Sequence, residues 1–525
     1  MFAPIDEKRQ KTLPRLCARD TRSVLPINLS LLPLLACPIH NTPGWSQAKS
    51  ACKKVRRTMP LMVLDSGFRV RDKVHNSLYT GRKKGYPLSS FQSGKYEKNS
   101  SLYTSHSTSP PLWYNLSVHI LLIHQAFVSL GEAGGTRHHE LARYLVQRGH
   151  RVTIICSPVS YLTGKVETRT SQEEEEGITI RRAYTYAALH RSFFHRVLAF
   201  VSFMLSSFWI GLSVRQVDLV WGTSPPIFQG VTAWALARLK GVPFLFEVRD
   251  LWPAFAIAMG VLRNPLLIGA SQALERFLYR HADRVLVNSP GFIDHVTARG
   301  ATWVELVPNG ADPEMFDPAA RGEAFRAAHG LDGHFVVLYA GAHGPSNDLG
   351  VVLDAAEHLQ DEPRICFVLV GDGKEKPALM KQAQERGLKN VLFLPPAPKA
   401  QMGEIMAAAD ACLAILKPLE LYKTTYPNKV FDAMAAGRAV VLAIDGVIRQ
   451  VVEETGAGVF VPPGDAQALA QAVRMLADNP QAAREMGEAG RRCVERRFHR
   501  QVLAEQLALI MEQMGGENGR KNSGG

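Results

Sequence analysis

The sequence predicts an α/β protein made of two Rossmann-like, doubly wound domains that face each other across a cleft. Three observations carry this. Apolar runs of strand length alternate with helix-length segments from residue 118 onward, the same rhythm restarts at residue 334, and a turn-rich stretch, PNGADPEMFDP (308–318), separates the two series. Runs that are apolar throughout mark strands buried on both faces of a parallel sheet.

In the first series the strands are VHILLIH (118–124), RVTIIC (151–156), DLVWG (218–222), PFLFEV (243–248), RVLVNS (284–289) and VELVP (304–308), with helices near 136–148 and 228–240. The second holds HFVVLYAG (334–341), CFVLVGDG (366–373), NVLFLP (390–395), DACLAIL (410–416), AVVLAI (439–444) and GVFVP (458–462). Helices near 349–360, 376–387 and 428–436 lie between these strands, and helices 465–477, 480–496 and 498–514 close the fold. This gives a first domain at 118–312, a second at 313–496, and a terminal helix with a flexible tail at 497–525. Open sheets of this kind bind ligands at the carboxyl ends of their strands, so two facing domains suit a reaction between two bound substrates.

The chain has 525 residues, 46% hydrophobic and 21% charged, the profile of a soluble globular protein with room for two or three domains. Its net charge of +13 is unevenly placed. Residues 1–117 carry 19 Lys or Arg against 6 Asp or Glu, whereas residues 118–525 carry 42 of each. The folded part has no surplus from which to build a nucleic-acid-binding face, and no nucleic-acid partner is expected. Residues 1–117 lack sustained periodicity and read as a disordered or misassigned extension. Within them, VLPINLSLLPLLAC (24–37) ends like a lipoprotein signal, but two prolines interrupt it and Asp6, Glu7 and Asp20 precede it. The seven cysteines, Cys17, Cys37, Cys52, Cys156, Cys366, Cys412 and Cys493, form no C-x-x-C pair, which points to a reducing compartment and no structural zinc.

Four segments carry candidate chemistry. Gly134, Gly135, Thr136 and Arg137 join the first strand to a helix, where free backbone amides and the helix dipole suit an anion; an ordinary tight turn explains the same glycines. Gly341 with Gly344, and Gly371 with Gly373, follow strands of the second domain at its ligand-binding edge. Thr424, Pro427, Asn428, Lys429 and Asp432 surround the start of a helix: Lys429 and the amides after Pro427 suit a diphosphate, and Asp432 suits ribose hydroxyls. The alternative is an amphipathic helix with a solvated Lys and Asp. Arg249 and Asp250 end a buried strand (FEVRDLWP), where Asp250 serves either as a base or acceptor-binding group, or as half of a pair in which Arg249 meets Asp250 or Glu247. The stretch RVLAFVSFMLSSFWIGL (196–212), preceded by Arg191 and His195, suits a helix at a membrane interface as well as a buried one. Asp-x-Asp, H-E-x-x-H, G-x-S-x-G and the P-loop motif are all missing from the chain.

Taken in order, Gly134-Gly135-Thr136-Arg137, TSPP (223–226), EVRDLWP (247–253), NSPGF (288–292), VPNGADPEMF (307–316), VGDG (370–373) and YPNKVFDAMAAGRAVV (426–441) resemble the retaining GT-B glycosyltransferases of family 4. The nearest subgroup is the WbuB-like enzymes of O-antigen, capsule and exopolysaccharide assembly. The resemblance implies a GT-B fold with an acceptor in the first domain and a nucleotide-sugar donor, commonly a UDP-sugar, in the second. It also implies transfer without metal or other cofactor, with retention of anomeric configuration. Asp432 matches the second acid of the family's E-x7-E motif, while Thr424 stands where the first Glu is usual and Arg249-Asp250 where other members have His-Asp. The function so implied is sugar transfer to an undecaprenyl-diphosphate-linked acceptor at the inner face of the cytoplasmic membrane, with peripheral contact through 196–212. A nucleotide-sugar epimerase of the same architecture and a non-catalytic partner of a polysaccharide assembly complex are the rivals.

Overall fold

The computed structural model describes residues 117–523 apart from 161–163, 165, 167–169 and 188–192. The expectations for the N-terminal extension, its three cysteines and Arg191 lie outside the described residues.

The first sheet contains β1 (His119–Ile123), β2 (Arg151–Cys156), β3 (Gln172–Glu175), β4 (Ile178–Arg182), β5 (Leu219–Ser224), β6 (Phe244–Val248), β7 (Arg284–Val287) and β8 (Val304–Leu306), in the order β3-β4-β2-β1-β5-β6-β7-β8. All neighbours are parallel except β3 and β4. That antiparallel pair is not among the strands expected from the sequence; the charged side chains of β3 are what an exposed sheet edge tolerates. The second sheet contains β9 (Phe335–Ala340), β10 (Ile365–Val370), β11 (Val391–Leu394), β12 (Ala411–Ile415), β13 (Ala439–Ala443) and β14 (Gly458–Phe460), all parallel, in the order β11-β10-β9-β12-β13-β14. Strand order reverses at β1 in the first sheet and at β9 in the second, so the ligand crevices lie at the carboxyl ends of those strands. The helix Pro265–His281 is also not among the elements expected; Asn264 caps it by accepting from the amides of Leu266 and Leu267.

The central strands β1, β5, β6, β10, β12 and β13 are buried along their whole length, with one apolar cluster on each face of each sheet. The free cysteines Cys156, Cys366, Cys412 and Cys493 are buried among them. The last helix, Arg500–Ser523, runs past the end of the 498–514 helix that was expected, and Leu503, Leu507, Met511 and Met514 pack into the core of the first domain beside Leu141, Leu145 and Trp221. The chain thus crosses between domains twice, at 307–311 and at 498–500, and the two crossings hold each other: the Ala311 amide donates to Phe498 O (3.1 Å) and the Arg500 amide to Ala311 O (2.8 Å).

At this crossing Arg500 is wholly buried. Its Nε donates to Glu140 Oε2 (2.7 Å), and its Nη2 donates to the Gly310 carbonyl and to Asn428 Oδ1 (3.1 Å). Burial alone would raise the Glu140 carboxyl, but Arg500 and Lys399 overcome it and hold the group at about 2. Removing one partner of a buried ion pair strands the other charge, at a cost of about 3–5 kcal/mol. Arg500→Ala is therefore expected to lower the denaturation midpoint steeply, and chemical unfolding checks it. A folded-state carboxyl held low contributes stability that is complete above the ordinary carboxylate range and is lost as pH falls towards 2. In Glu140→Gln, unfolding between pH 5 and 2 is accordingly expected to depend less on pH than in the parent.

Candidate active site

A cleft of about 360 Å³ opens where β9, β10 and the helix Asn428–Ala435 converge. Its floor is the backbone of Gly341-Ala342 and Gly371-Asp372, and its far wall is Gly134, Gly135 and Thr136 of the first domain. Small residues are needed here: a methyl group added at Gly371 would collide with the Gly341 carbonyl oxygen. Pro427 precedes the helix without a side-chain cap, so the amides of Asn428 and Lys429 at the cleft keep their donor capacity and the positive end of the dipole.

Lys429 lines the cleft, with Nζ 4.0 Å from the centroid of the Tyr339 ring and 2.9 Å from its hydroxyl. Burial drives its ammonium down to about 7. Asp432, one turn on, is held from two sides: Lys399 Nζ lies 2.7 Å from Oδ1, and Asn428 Nδ2 donates to Oδ2 (3.1 Å). Through Asn428 this group joins the buried series Asn428, Arg500, Glu140, in which Glu140 Oε1 accepts from Thr136 Oγ1 (2.5 Å). The donor-side helix, the returning helix and the glycine loop of the first domain are therefore fixed by one polar chain. The loop 395–400 adds a second tie, donating from Lys399 N to Glu132 O (3.3 Å) and from Ala400 N to Leu130 O (3.2 Å).

A second cavity, about 510 Å³, adjoins the first and shares Ala133, Gly134, Gly135 and Pro396 with it. Arg249 lines it, held by Thr223 Oγ1 at Nε (2.8 Å) and by Pro225 O and His124 Nε2 at Nη2 (3.1 Å each). Burial, with His138 and Arg249 alongside, keeps His124 neutral. Since its Nε2 accepts from Arg249, its proton sits on Nδ1. The His138 ring lies 4.3 Å from that of His124 and is bound through Nε2 to Glu247 (2.6 Å).

The sequence-derived candidates are distributed unevenly over this geometry. Gly134, Gly135, Thr136, Gly341, Gly371, Asn428, Lys429 and Asp432 line the first cleft, and Arg249 lines the second. Arg137 does not reach either. It turns inward, with Nε on Glu247 (3.1 Å) and its two other nitrogens on the carbonyls of Pro308 and Val307, because its place in the first helical turn sets it over β6. The pairing of Arg249 with Glu247 gives way to closer partners, since Glu247 is taken by Arg137 and His138, while Asp250 keeps Arg249 as its electrostatic neighbour. Asp250 borders neither cavity; its Oδ1 is buried without a hydrogen-bond partner, and burial raises the carboxyl to about 7 despite Arg249. Thr424 faces the first domain, its carbonyl accepting from Ser289 Oγ (2.5 Å) over Gly291, where any side chain would clash. Gly344 and Gly373 do not line the cleft, and Gly373 is backed against the His343 carbonyl. Lys399, Arg500, Glu140 and His124 were not foreseen, since none belongs to a local motif and each is brought in by a distant element.

Two family models match the chain: one for a glycosyl transferase 4-like domain at residues 133–310, and one for glycosyl transferases group 1 at residues 334–479. Together they cover more than half of it. WcaI of Escherichia coli strain K12, named for colanic acid biosynthesis, is 26% identical over 66% of this chain and 90% of its own length. A D-inositol 3-phosphate glycosyltransferase of Streptomyces coelicolor is also 26% identical, over 72% and 86%. Among solved structures, sucrose-phosphate synthase of Thermosynechococcus elongatus aligns with a TM-score of 0.64 at 19% identity, covering 76% of this chain and all of the other. HepE of Anabaena, solved with UDP and glucose, aligns at 0.57 with 18% identity, covering 75% and 98%. These likenesses agree with the two-sheet architecture and its facing clefts, and the chain belongs to the GT-B glycosyltransferases of family 4.

Proposed function

We propose that this glycosyltransferase takes a nucleotide-sugar, a UDP-sugar by preference, in the cleft at Lys429 and transfers the sugar with retention of configuration and without metal. The acceptor is a lipid-linked glycan of bacterial cell-surface polysaccharide assembly, held in the cavity at Arg249. The observation that carries this is the position of Lys429. A buried ammonium and two helix N-terminal amides meet at one end of a cleft whose floor is glycine backbone, and this is the charge a departing diphosphate requires. Asp432, held by Lys399 and Asn428, stands one turn further along, in place for the ribose. HepE was solved with UDP-glucose, and WcaI is named for colanic acid synthesis, which favours this donor and this setting.

The helix Phe193–Ser213 supports work at a membrane surface. Its span Phe194–Ser213 is long and apolar enough to cross a bilayer by composition, and only 22% of the most apolar window is buried in the protein. Phe194 and Trp209 are among its most exposed side chains. We read it as lying in the interface of the cytoplasmic membrane's inner face rather than across the bilayer.

Calorimetry in EDTA tests the donor site. UDP is expected to bind more tightly than GDP or NAD, and Lys429→Ala and Asp432→Ala are each expected to weaken it at least tenfold; a folded chain that binds no nucleotide would sink the reading. Because Lys429 is largely neutral above pH 7, a bound diphosphate must recharge it. Binding at pH 8 is thus expected to take up close to one proton, measured from the dependence of heat on buffer ionisation, and Lys429→Met to take up none. Affinity should fall as pH rises from 7 to 9. NMR of the product formed with an accepted donor is expected to show the donor's anomeric configuration.

A further inference from the structure

We propose that Lys399 is a specificity-determining residue of the donor cleft: its ammonium and the Asp432 carboxylate read the vicinal diol of the nucleotide's ribose, one hydroxyl each, and so select ribonucleotides over deoxyribonucleotides. The inference rests on the donor reading above and adds a second reader to it.

Both side chains line the cleft and both are buried. Lys399 opens a single helical turn, Lys399–Gln401, after Pro398, and its amide is fixed on the first domain's Glu132 carbonyl (3.3 Å). From there its Nζ lies 5.4 Å from the centroid of the Phe316 ring and 2.7 Å from Asp432 Oδ1. Close as it is, this contact is not an aligned hydrogen bond. Among the described residues, Oδ1 is buried and accepts from no donor, whereas Oδ2 accepts from Asn428 Nδ2 (3.1 Å). The ammonium forms no other ion pair there, although its charge also reaches Glu140. The nearby buried pair of Arg500 and Glu140 shows what a purely structural contact looks like in this protein: Nε donates squarely to Oε2 (2.7 Å). Lys399 and Asp432 instead stand side by side with donors and an acceptor unspent, and a buried polar atom left so calls for a partner.

The chemistry of the pair restricts that partner. A phosphate only accepts, so it would meet the carboxylate's charge along with the ammonium's. An apolar group would leave both unsatisfied. A hydroxyl donates and accepts, and two adjacent hydroxyls can give a proton to Oδ1 and take one from Nζ at the same time. The position agrees. Asp432 follows Lys429 on the same helix at ~4.5 Å of rise, an offset that the diphosphate and the ribose of one nucleotide can span. Beyond the pair the cleft turns apolar, with Val370, Pro396, Ala397, Met402 and Met406, which suits the face of a base. A site that buries polar groups for a hydroxyl rejects a ligand lacking it, because those groups are then left unpaired. Since the Lys399 backbone is held by the first domain and Asp432 by the helix of the second, the diol site is complete only with both in place.

Calorimetry on the whole protein in EDTA, with UDP, 2′-deoxy-UDP and 3′-deoxy-UDP as probes, tests the assignment. Each variant is judged by the ratio of its affinities for UDP and for the deoxy analogues, which a change in the folded fraction does not alter. The parent is expected to prefer UDP to each analogue by at least tenfold. Lys399→Met, which keeps the length of the stem, is expected to cut the preference over one analogue to within about threefold, and Asp432→Asn the preference over the other. Lys399→Arg, which restores charge and donors, is expected to recover most of what Lys399→Met loses. In the Asp432→Asn background, Lys399→Met is expected to lower the remaining preference further; no change there would mean that Lys399 only orients Asp432, and would overturn the proposal. A preference left intact in Lys399→Met, or equal affinity of the parent for all three probes, would overturn it as well. UDP bound in a manner that depends on Lys429 but without selection of the diol removes this inference alone, whereas a parent that binds none of the three removes the donor reading and this one with it.

Discussion

The buried contact between Arg500 and Glu140 is the constraint on which the rest of the architecture depends. Two doubly wound domains joined by a single crossing would be free to swing, and the ligand sites at their facing edges would have no fixed relation. Here the chain crosses twice, and the second crossing drives a guanidinium into the interior, where Glu140, the Gly310 carbonyl and Asn428 share it. A charge so buried is tolerated because an ion pair and directed hydrogen bonds at Nε and Nη2 compensate its desolvation, so the geometry around it is exacting. Its partners are also the supports of the active site: Glu140 holds Thr136 beside the glycine loop, and Asn428 opens the helix that carries Lys429 and Asp432.

The electrostatics of the two cavities differ in kind. In the donor cleft the positive charge is conditional. Lys429 sits against Tyr339 in a site whose burial disfavours its ammonium, and in the proposed reading it is the arriving diphosphate that would stabilise the cation. Such a group discriminates between the charged leaving group and neutral ligands of similar shape. In the neighbouring cavity the guanidinium groups stay protonated: that of Arg249 is held by a hydroxyl, a carbonyl and the neutral His124, and that of Arg182 is paired with the Glu173 carboxylate on the edge strand. On the first-domain side, the shared wall of Ala133, Gly134 and Gly135 has side chains no larger than methyl, so little bulk separates the two cavities there.

Much of this was legible in the sequence, and what was not has physical reasons. Parallel strands buried on both faces are apolar throughout, so β1, β2, β6, β9, β10, β12 and β13 could be placed within a few residues, and the partly buried edge strands β11 and β14 followed from their short apolar runs. The start of the helix at Pro427 was legible because proline fits only the first turn, and that placed Asn428, Lys429 and Asp432 together. The hairpin of β3 and β4 was not, since the edge strand β3 is entirely polar and charged and the alternation of Ile178, Thr179 and Ile180 in β4 is too short to stand out. Arg137 follows a glycine loop and looked like a ligand, yet the phase of its helix turns it onto Glu247. Thr424 sits in a motif but serves the domain interface through its carbonyl. Lys399 and Arg500 belong to no motif: one comes from a loop beyond β11, the other from a helix 360 residues after its partner Glu140, and only the closed fold brings them to the site.

The most direct test of the central claim, that fixed protein charge replaces a metal at the leaving group, is a crystal structure with UDP grown in EDTA. The diphosphate is predicted within hydrogen-bond distance of Lys429 Nζ and the amides of Asn428 and Lys429, with the ribose on Asp432. A nucleotide bound elsewhere in the cleft, or a diphosphate turned away from Lys429, would contradict it.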